Sequence, residues 1–222
     1  MRYGPAVERI RTSYDAVAEA YAAALGDELA GKPLDRALLD GFAELCRAGE
    51  GPVYDLGCGP GHVTRYLAER GVDARGLDLS PEMVRIAGAR NPALAFVVGT
   101  MTALDAPDAS WGGAVALYSI IHLDPDERPR ALREIARVLR PGGWLLVAFH
   151  VSSADHPMGS SIHLEMWFDA SVDLSTHFLD PDEILGELRA AGLDVRARLD
   201  REPWSAAEYP SRRCYALARR PG

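Results

Sequence analysis

The chain is poor in lysine. Of its 222 residues 24 are Lys or Arg, and Lys32 is the single lysine. Schiff-base chemistry would have to rest on that residue alone. Cysteine is scarce as well: Cys46, Cys58 and Cys214 are odd in number, far apart and without a CxxC pair. They suggest neither a disulfide framework nor a zinc ligand set, and they suit a reducing, cytoplasmic compartment. No run of about 18 apolar residues occurs, so no membrane-spanning helix is expected. The opening Met1-Arg2-Tyr3-Gly4-Pro5 leads into polar sequence rather than an apolar core, so no secretory signal is expected either. Basic charge is outnumbered, 24 residues against 32 acidic ones, for a formal charge of −8. A general nucleic-acid or anionic-membrane binder would need a basic face. Internal repeats and low-complexity tracts are absent.

What remains is a chain with 48% hydrophobic residues, enough to bury one core, and a length that suits one domain. An alanine-rich helix is expected over residues 6–25 and a second over 33–47, opening at Pro33. From residue 53 strand and helix alternate. Strands are expected at 53–56, 74–79, 94–98, 113–119 and 144–149, with helices at 61–69, 81–90 and from Asp124 to before Pro141. Asp124-Pro125-Asp126-Glu127 and Asp180-Pro181-Asp182-Glu183 both read as capped helix starts. Two strands, near 193–201 and 212–219, close the chain without a helix between them. The pattern predicts a parallel sheet with helices on both faces and one antiparallel strand near the C-terminus. Residues 151–179 break the alternation. They are too long for a plain connection and rich in aromatic and polar groups, which points to a functional insert.

The most informative run is Asp55-Leu56-Gly57-Cys58-Gly59-Pro60-Gly61, a strand, a glycine-rich turn and a helix start. Such a turn brings backbone and a helix N-terminus close to a ligand. The ligand could be a dinucleotide or an adenosyl sulfonium. A dinucleotide loop spaces its glycines GxGxxG, whereas here the third glycine comes one position early. Asp55 would be unfavourable beside a pyrophosphate and favourable beside an ammonium. Asp78, closing the next strand, can accept both hydroxyls of a ribose in either case. Together the two carboxylates favour the adenosyl sulfonium.

These residues resemble the class I S-adenosylmethionine-dependent methyltransferases. The resemblance runs through Val53–Gly61, Asp78, Gly99-Thr100-Met101, Tyr118–Leu123 and Val138–Gly143, and covers roughly residues 50–150. Tyr14-Asp15 and Tyr21 resemble the cap of small-molecule members. The resemblance implies a Rossmann-like, doubly wound, mostly parallel seven-stranded sheet in a single α/β domain over 1–222. Residues 1–49 would be a helical cap, 50–150 the cofactor-binding core, 151–179 a substrate lid and 180–222 a closing helix and strand pair. It implies that Asp55, Gly57, Cys58, Gly59 and Gly61 hold the methionine part of S-adenosylmethionine, and that Asp78 takes the ribose. Leu79, Met83 and Met101 would sandwich the adenine, while Ser119 and Ile120 would lie near the sulfonium. Many members carry an acidic residue after the glycine corresponding to Gly99. Thr100 stands there, so adenine recognition would fall to its hydroxyl or to backbone around Thr102.

Methyl transfer needs a base only where the nucleophile must lose a proton. His122, His150, His156, His163, Glu165 and His177 are the candidates. His122 follows the fourth strand at the cofactor edge, either facing substrate or merely holding its loop. His163 and Glu165 share one face if their segment is a strand, and that face meets either substrate or solvent. A metal site from the histidines and Glu165 matches no standard spacing, and none is expected. Tyr14 and Tyr21, two helical turns apart, form either a lid over the cofactor or a packing stripe. Trp111, Trp144 and Trp204 read as core or surface, and Arg212 and Arg213 either as a solvated pair or as groups facing an acidic substrate. The Asn/Asp-Pro-Pro-aromatic run expected of enzymes methylating an exocyclic base nitrogen does not follow the fourth strand, where the sequence is Tyr118-Ser119-Ile120-Ile121. The partner expected is therefore a small-molecule acceptor of secondary metabolism, methylated on O, N or C, with no nucleic acid and no membrane. Non-methyl-transfer chemistry (cyclisation or decarboxylation) and a non-catalytic cofactor-binding role remain as alternatives, and monomer and homodimer are both open.

Overall fold

A computed structural model describes residues 4–205 and 208–222. Residues 1–3 of the expected cap lie outside the described residues. The central sheet has seven strands: β1 Val53–Leu56, β2 Ala74–Asp78, β3 Ala95–Val98, β4 Trp111–Leu117, β5 Leu139–Ser153, β8 Asp194–Arg201 and β9 Ser211–Arg219. Their spatial order is β3-β2-β1-β4-β5-β9-β8. All pairings from β3 to β5 are parallel, and β9 runs antiparallel to both neighbours, as expected of strands joined without a crossover helix.

Each central strand is buried on both faces, and its alternate residues serve two different cores. Ala114, Ala116, Leu145 and Val147 pack under α5 Arg128–Val138 and α6 Pro181–Ala190. Val115 and Leu146, one residue out of phase, pack under α2 Pro33–Arg47 and α3 His62–Ala68. This double burial is why β4 reads as an unbroken apolar run. α1 Pro5–Leu25 joins neither cluster. Ala18 and Ala22 meet Met83 and Ile86 of α4 Pro81–Arg90, and Val17 meets Val172 and Leu174 of the insert.

Two expectations shift. The helix expected from Asp124 begins at Arg128, and Asp124–Glu127 form a turn whose Asp124 carbonyl accepts the Glu127 and Arg128 N–H groups. A helix opened at Pro125 would put Pro129 in its second turn, where the missing N–H breaks the ladder. Starting at Arg128 keeps that proline in the first turn. The Asp180 start holds, its carboxylate accepting the Asp182 N–H at 2.8 Å. The insert is a hairpin, β6 Ser161–Trp167 and β7 Ala170–His177, paired only with itself. Its two-residue turn has φ of 47° at Phe168 and 60° at Asp169, the handedness that two-residue hairpin turns need.

Candidate active site

The strand order reverses between β1 and β4, and open sheets of this kind bind ligands outside the carboxyl ends of the strands at such a point. There β1 runs into Gly57 and β2 ends on Asp78, while Tyr118 follows β4. The Gly57 and Cys58 N–H groups both bond to the Leu77 carbonyl, at 2.8 and 3.1 Å, which turns the chain back over β2. Gly57 has φ of 75°, and a Cβ there would sit 2.5 Å from the Ser119 Cβ. Only glycine fits that approach. Gly61 caps α3 in the left-handed region, and its missing Cβ makes room for Phe96.

Asp78 is buried. It accepts the Gly59 N–H at 2.8 Å through one oxygen and the Ser80 N–H at 2.8 Å through the other. Each oxygen keeps a lone pair. Burial pushes this carboxyl up to about 6, with the two backbone N–H groups opposing. Asp55 is buried too, accepts the Thr64 hydroxyl at 2.7 Å, and is likewise pushed up by burial to about 6. α1 closes the cleft from above. Its Asp15 accepts both the Ser80 hydroxyl, at 2.5 Å, and the Glu82 N–H, at 3.2 Å, and so ties α1 to the start of α4.

The cleft between α1 and the strand ends is lined by Tyr14, Tyr21, Asp78, Met83, Thr100 and Ser119, and also by Gly57, Gly59, Leu79, Met101 and His122. Asp55 and Cys58 line a small adjoining pocket with Gly57, Gly59 and His62. Three of the cofactor-binding residues named from sequence line none of these cavities. Ile120 is buried in the core, Gly61 packs on Phe96, and Thr102 is buried with its hydroxyl 2.8 Å from that of Thr100. The next residue, Ile121, is the one that reaches a cavity.

That cavity, about 520 Å³, opens from the cleft and shares Tyr14, Tyr21, Tyr118 and His122 with it. One wall is the hairpin, through Ile162, Leu164, Trp167, Leu174 and Phe178. The opposite wall carries Glu28, Lys32, His150, Glu208 and Arg213. At the junction the Tyr14 hydroxyl is 2.7 Å from His122 Nε2, and His122 Nδ1 is 2.9 Å from the Ser175 carbonyl of β7. A carbonyl only accepts, so Nδ1 carries the proton and Nε2 presents the lone pair to the tyrosine. Burial pushes His122 down to about 4, so it is neutral near pH 7. Tyr118 has φ of 55°. Strain of this kind costs about 1–3 kcal/mol and collects at functional sites. Its hydroxyl bonds that of Tyr215 at 2.7 Å, and its ring stacks on His150 at 4.9 Å.

Two sequence expectations are corrected. His163 and Glu165 do share a face, but it is the exposed face of the hairpin. His163 lies 3.7 Å from Asp173, and Ile162 and Leu164 take the chamber side. The pairing register shifts between Leu164 and Met166, which lets Trp167 return to the chamber side. Arg212 and Arg213 are not a solvated pair. Arg212 is exposed, whereas Arg213 is buried 2.7 Å from Glu208. Among the described residues no group of three or more His, Cys, Asp or Glu side chains could hold a metal. The sequence did not single out Tyr118, His150 or the hairpin's apolar residues as one surface, because they converge from four separate elements.

Residues 53–143 match the family model of the methyltransferase domain. That match, with the methyltransferases among its relatives and structural neighbours, supports a class I S-adenosylmethionine-dependent methyltransferase. It is 30% identical over 147 residues to a malonyl-[acyl-carrier protein] O-methyltransferase of Serratia marcescens, an alignment covering 66% of this chain and 57% of that protein. It spans about half the length of the curated relatives it matches. The [4+2]-cyclase SpnF superposes with a TM-score of 0.73 at 21% identity, covering 100% of this chain and 98% of that one. A 1,6-didemethyltoxoflavin-N1-methyltransferase of Burkholderia thailandensis, solved with 1,6-didemethyltoxoflavin and S-adenosylhomocysteine, superposes with a TM-score of 0.68 at 20% identity, covering 100% and 93%. At these identities the structural likeness bears on the fold.

The family's cofactor is S-adenosylmethionine, and the residues present fit it. The glycine turn clears the space that a side chain would fill. Asp78 keeps two acceptor lone pairs, and the buried Ser119 hydroxyl at the cleft has no hydrogen-bond partner among the described residues.

Proposed function

We propose that the protein transfers a methyl group from S-adenosylmethionine to an oxygen, nitrogen or carbon nucleophile of a small-molecule acceptor, of the kind made in secondary metabolism. The observation that carries this reading is the Tyr14–His122 pair at the junction of the cleft with the larger chamber. When bound, S-adenosylmethionine supplies an electrophilic methyl group on a good leaving group. Asp78 accepts from the ribose hydroxyls, and Asp55 with the Gly57–Gly59 backbone faces the methionine end. Leu79, Met83 and Met101 flank the adenine beside Thr100, and Tyr14 and Tyr21 cover the cleft.

The chain's main task is positioning, which can supply roughly 7–11 kcal/mol in such a reaction. For a hydroxyl acceptor, the Tyr14 oxygen takes the acceptor's proton and passes its own to His122 Nε2 as the new bond forms. The Ser175 carbonyl, by holding Nδ1–H, keeps the basic nitrogen turned to the junction. His163 and Glu165 have no part in this scheme.

The reading is tested by calorimetry with S-adenosylmethionine, followed by incubation with methyl-labelled cofactor and a metabolite extract. Binding, and label in a small product matched by S-adenosylhomocysteine, is the expected result. No binding to the folded protein would refute it. Acceptor consumed without equivalent S-adenosylhomocysteine would move the assignment to non-methyl-transfer chemistry.

A further inference from the structure

The chamber beside the cofactor cleft carries several charged side chains, yet each is already matched. The Lys32 ammonium lies 2.6 Å from Glu28. Burial pushes the Glu28 carboxyl up, but the hydrogen bond from His62 and the Lys32 charge win and hold it at about 2, so this carboxylate is ionised near neutral pH. Arg213 lies 2.7 Å from Glu208, and Arg201 bridges Glu208 at 2.8 Å and Asp35 at 2.7 Å. These four groups are buried and sum to zero. Asp27, at the rim, lies 3.2 Å from Arg65. Among the described residues, no charged side chain lining the chamber is left uncompensated.

The remaining polar groups are uncharged. His122 is neutral and bonded at both nitrogens. His150 bonds Ser211 at 2.6 Å through Nδ1, and burial pushes it down to about 3. The rest of the surface is apolar and ring-rich. Trp167 meets Tyr14 and Tyr21 edge to face at 5.8 and 5.5 Å, and Phe178 stands on the same wall. Rings thus face the chamber from α1, from the hairpin and from the end of β4. At about 520 Å³ the space is of the size that holds a drug-sized ligand.

We propose that this chamber selects an electrically neutral, planar, aromatic or polyunsaturated acceptor bearing a hydroxyl, and disfavours carboxylates, phosphate esters and aliphatic ammonium ions. The inference rests on the reading of the chamber as the acceptor site. An ion entering it loses its water, finds no free counter-charge, and must either stay unpaired or break an internal pair. A flat neutral molecule loses little water and meets aromatic faces and edges.

The test is a binding experiment, independent of turnover. Protein first loaded with S-adenosylhomocysteine is titrated with 2-naphthol, 2-naphthoate and 2-naphthylmethylammonium, at about pH 7.5, where a phenolic hydroxyl with a pKa near 10 is neutral. The three share a ring system and differ in charge. Naphthol should bind at least about tenfold more tightly than either ion. Either ion binding as tightly as the naphthol, or no saturable naphthol binding, would overturn the proposal while leaving the methyltransferase reading intact. Failure to load S-adenosylhomocysteine would overturn both.

Discussion

At the residue scale, the site turns on a few buried ionisable groups whose protonation is set by burial. Asp55 and Asp78 are both pushed up to about 6, above their ordinary value of 3.8. A carboxyl raised in the fold holds its proton more tightly there than in the unfolded chain. The ligand-free fold therefore loses stability as pH rises from about 4 through 6. Cationic S-adenosylmethionine should bind best to the ionised pair, so affinity should be flat above about pH 7 and fall as pH drops through 6. Calorimetry across that range checks this, and undiminished affinity at pH 5 would count against it. Asp78→Ala should weaken cofactor binding at least about tenfold, about 1.4 kcal/mol. His122→Asn should lower kcat for a hydroxyl acceptor by about 10²–10⁴ with S-adenosylhomocysteine affinity unchanged. Tyr14→Phe should also slow turnover. If it left both turnover and affinity at wild-type levels, the hydroxyl would have no role in the site.

At the element scale, the hairpin does two jobs. Its exposed face carries the His163 and Glu165 that the sequence offered as catalytic, and its inner face packs on α1 through Val172, Leu174 and Trp167. The Asp173 N–H adds a bond to the Ser13 hydroxyl of α1 at 2.9 Å. The hairpin and α1 are thus one packed unit, and β7 also holds His122 through the Ser175 carbonyl. Leu174→Ala removes a side chain that is 1% exposed from that contact. It should cost about 2–5 kcal/mol of stability, read from denaturant unfolding. Strand and helix positions from residue 53 to 150 were largely legible, because apolar runs, glycine stops and proline starts act locally. The facing of the hairpin was not. A strand that alternates polar and apolar residues has two faces, and which one is covered depends on a helix more than a hundred residues away in sequence.

At the scale of the whole molecule, a buried ionic network joins segments from far apart in the chain. Asp35 of α2 accepts from Arg201 of β8 at 2.7 Å and from the Tyr215 hydroxyl of β9 at 2.8 Å. Tyr215 in turn bonds Tyr118 at the site. Breaking a buried pair by removing one partner costs about 3–5 kcal/mol, so Asp35→Ala should lower unfolding stability by about that amount, measurable in urea. The network also explains why Arg213, polar and near the end of the chain, is buried rather than solvated. Its charge is balanced by Glu208, a partner that no local spacing announces.

The sequence by itself determined the sheet, its single antiparallel strand, the glycine turn and the two carboxylates at the strand ends. Those features arise from backbone geometry and short-range periodicity, which neighbouring residues encode. Only the tertiary structure decided that His122 meets Tyr14, that His163 and Glu165 face outward, and that the chamber's charges cancel in pairs. The first two depend on which distant surfaces pack together, and the third on which near neighbours, such as Glu28 with Lys32 and Glu208 with Arg213, are buried in one chamber wall; burial of one side chain against another is a property of the assembled fold.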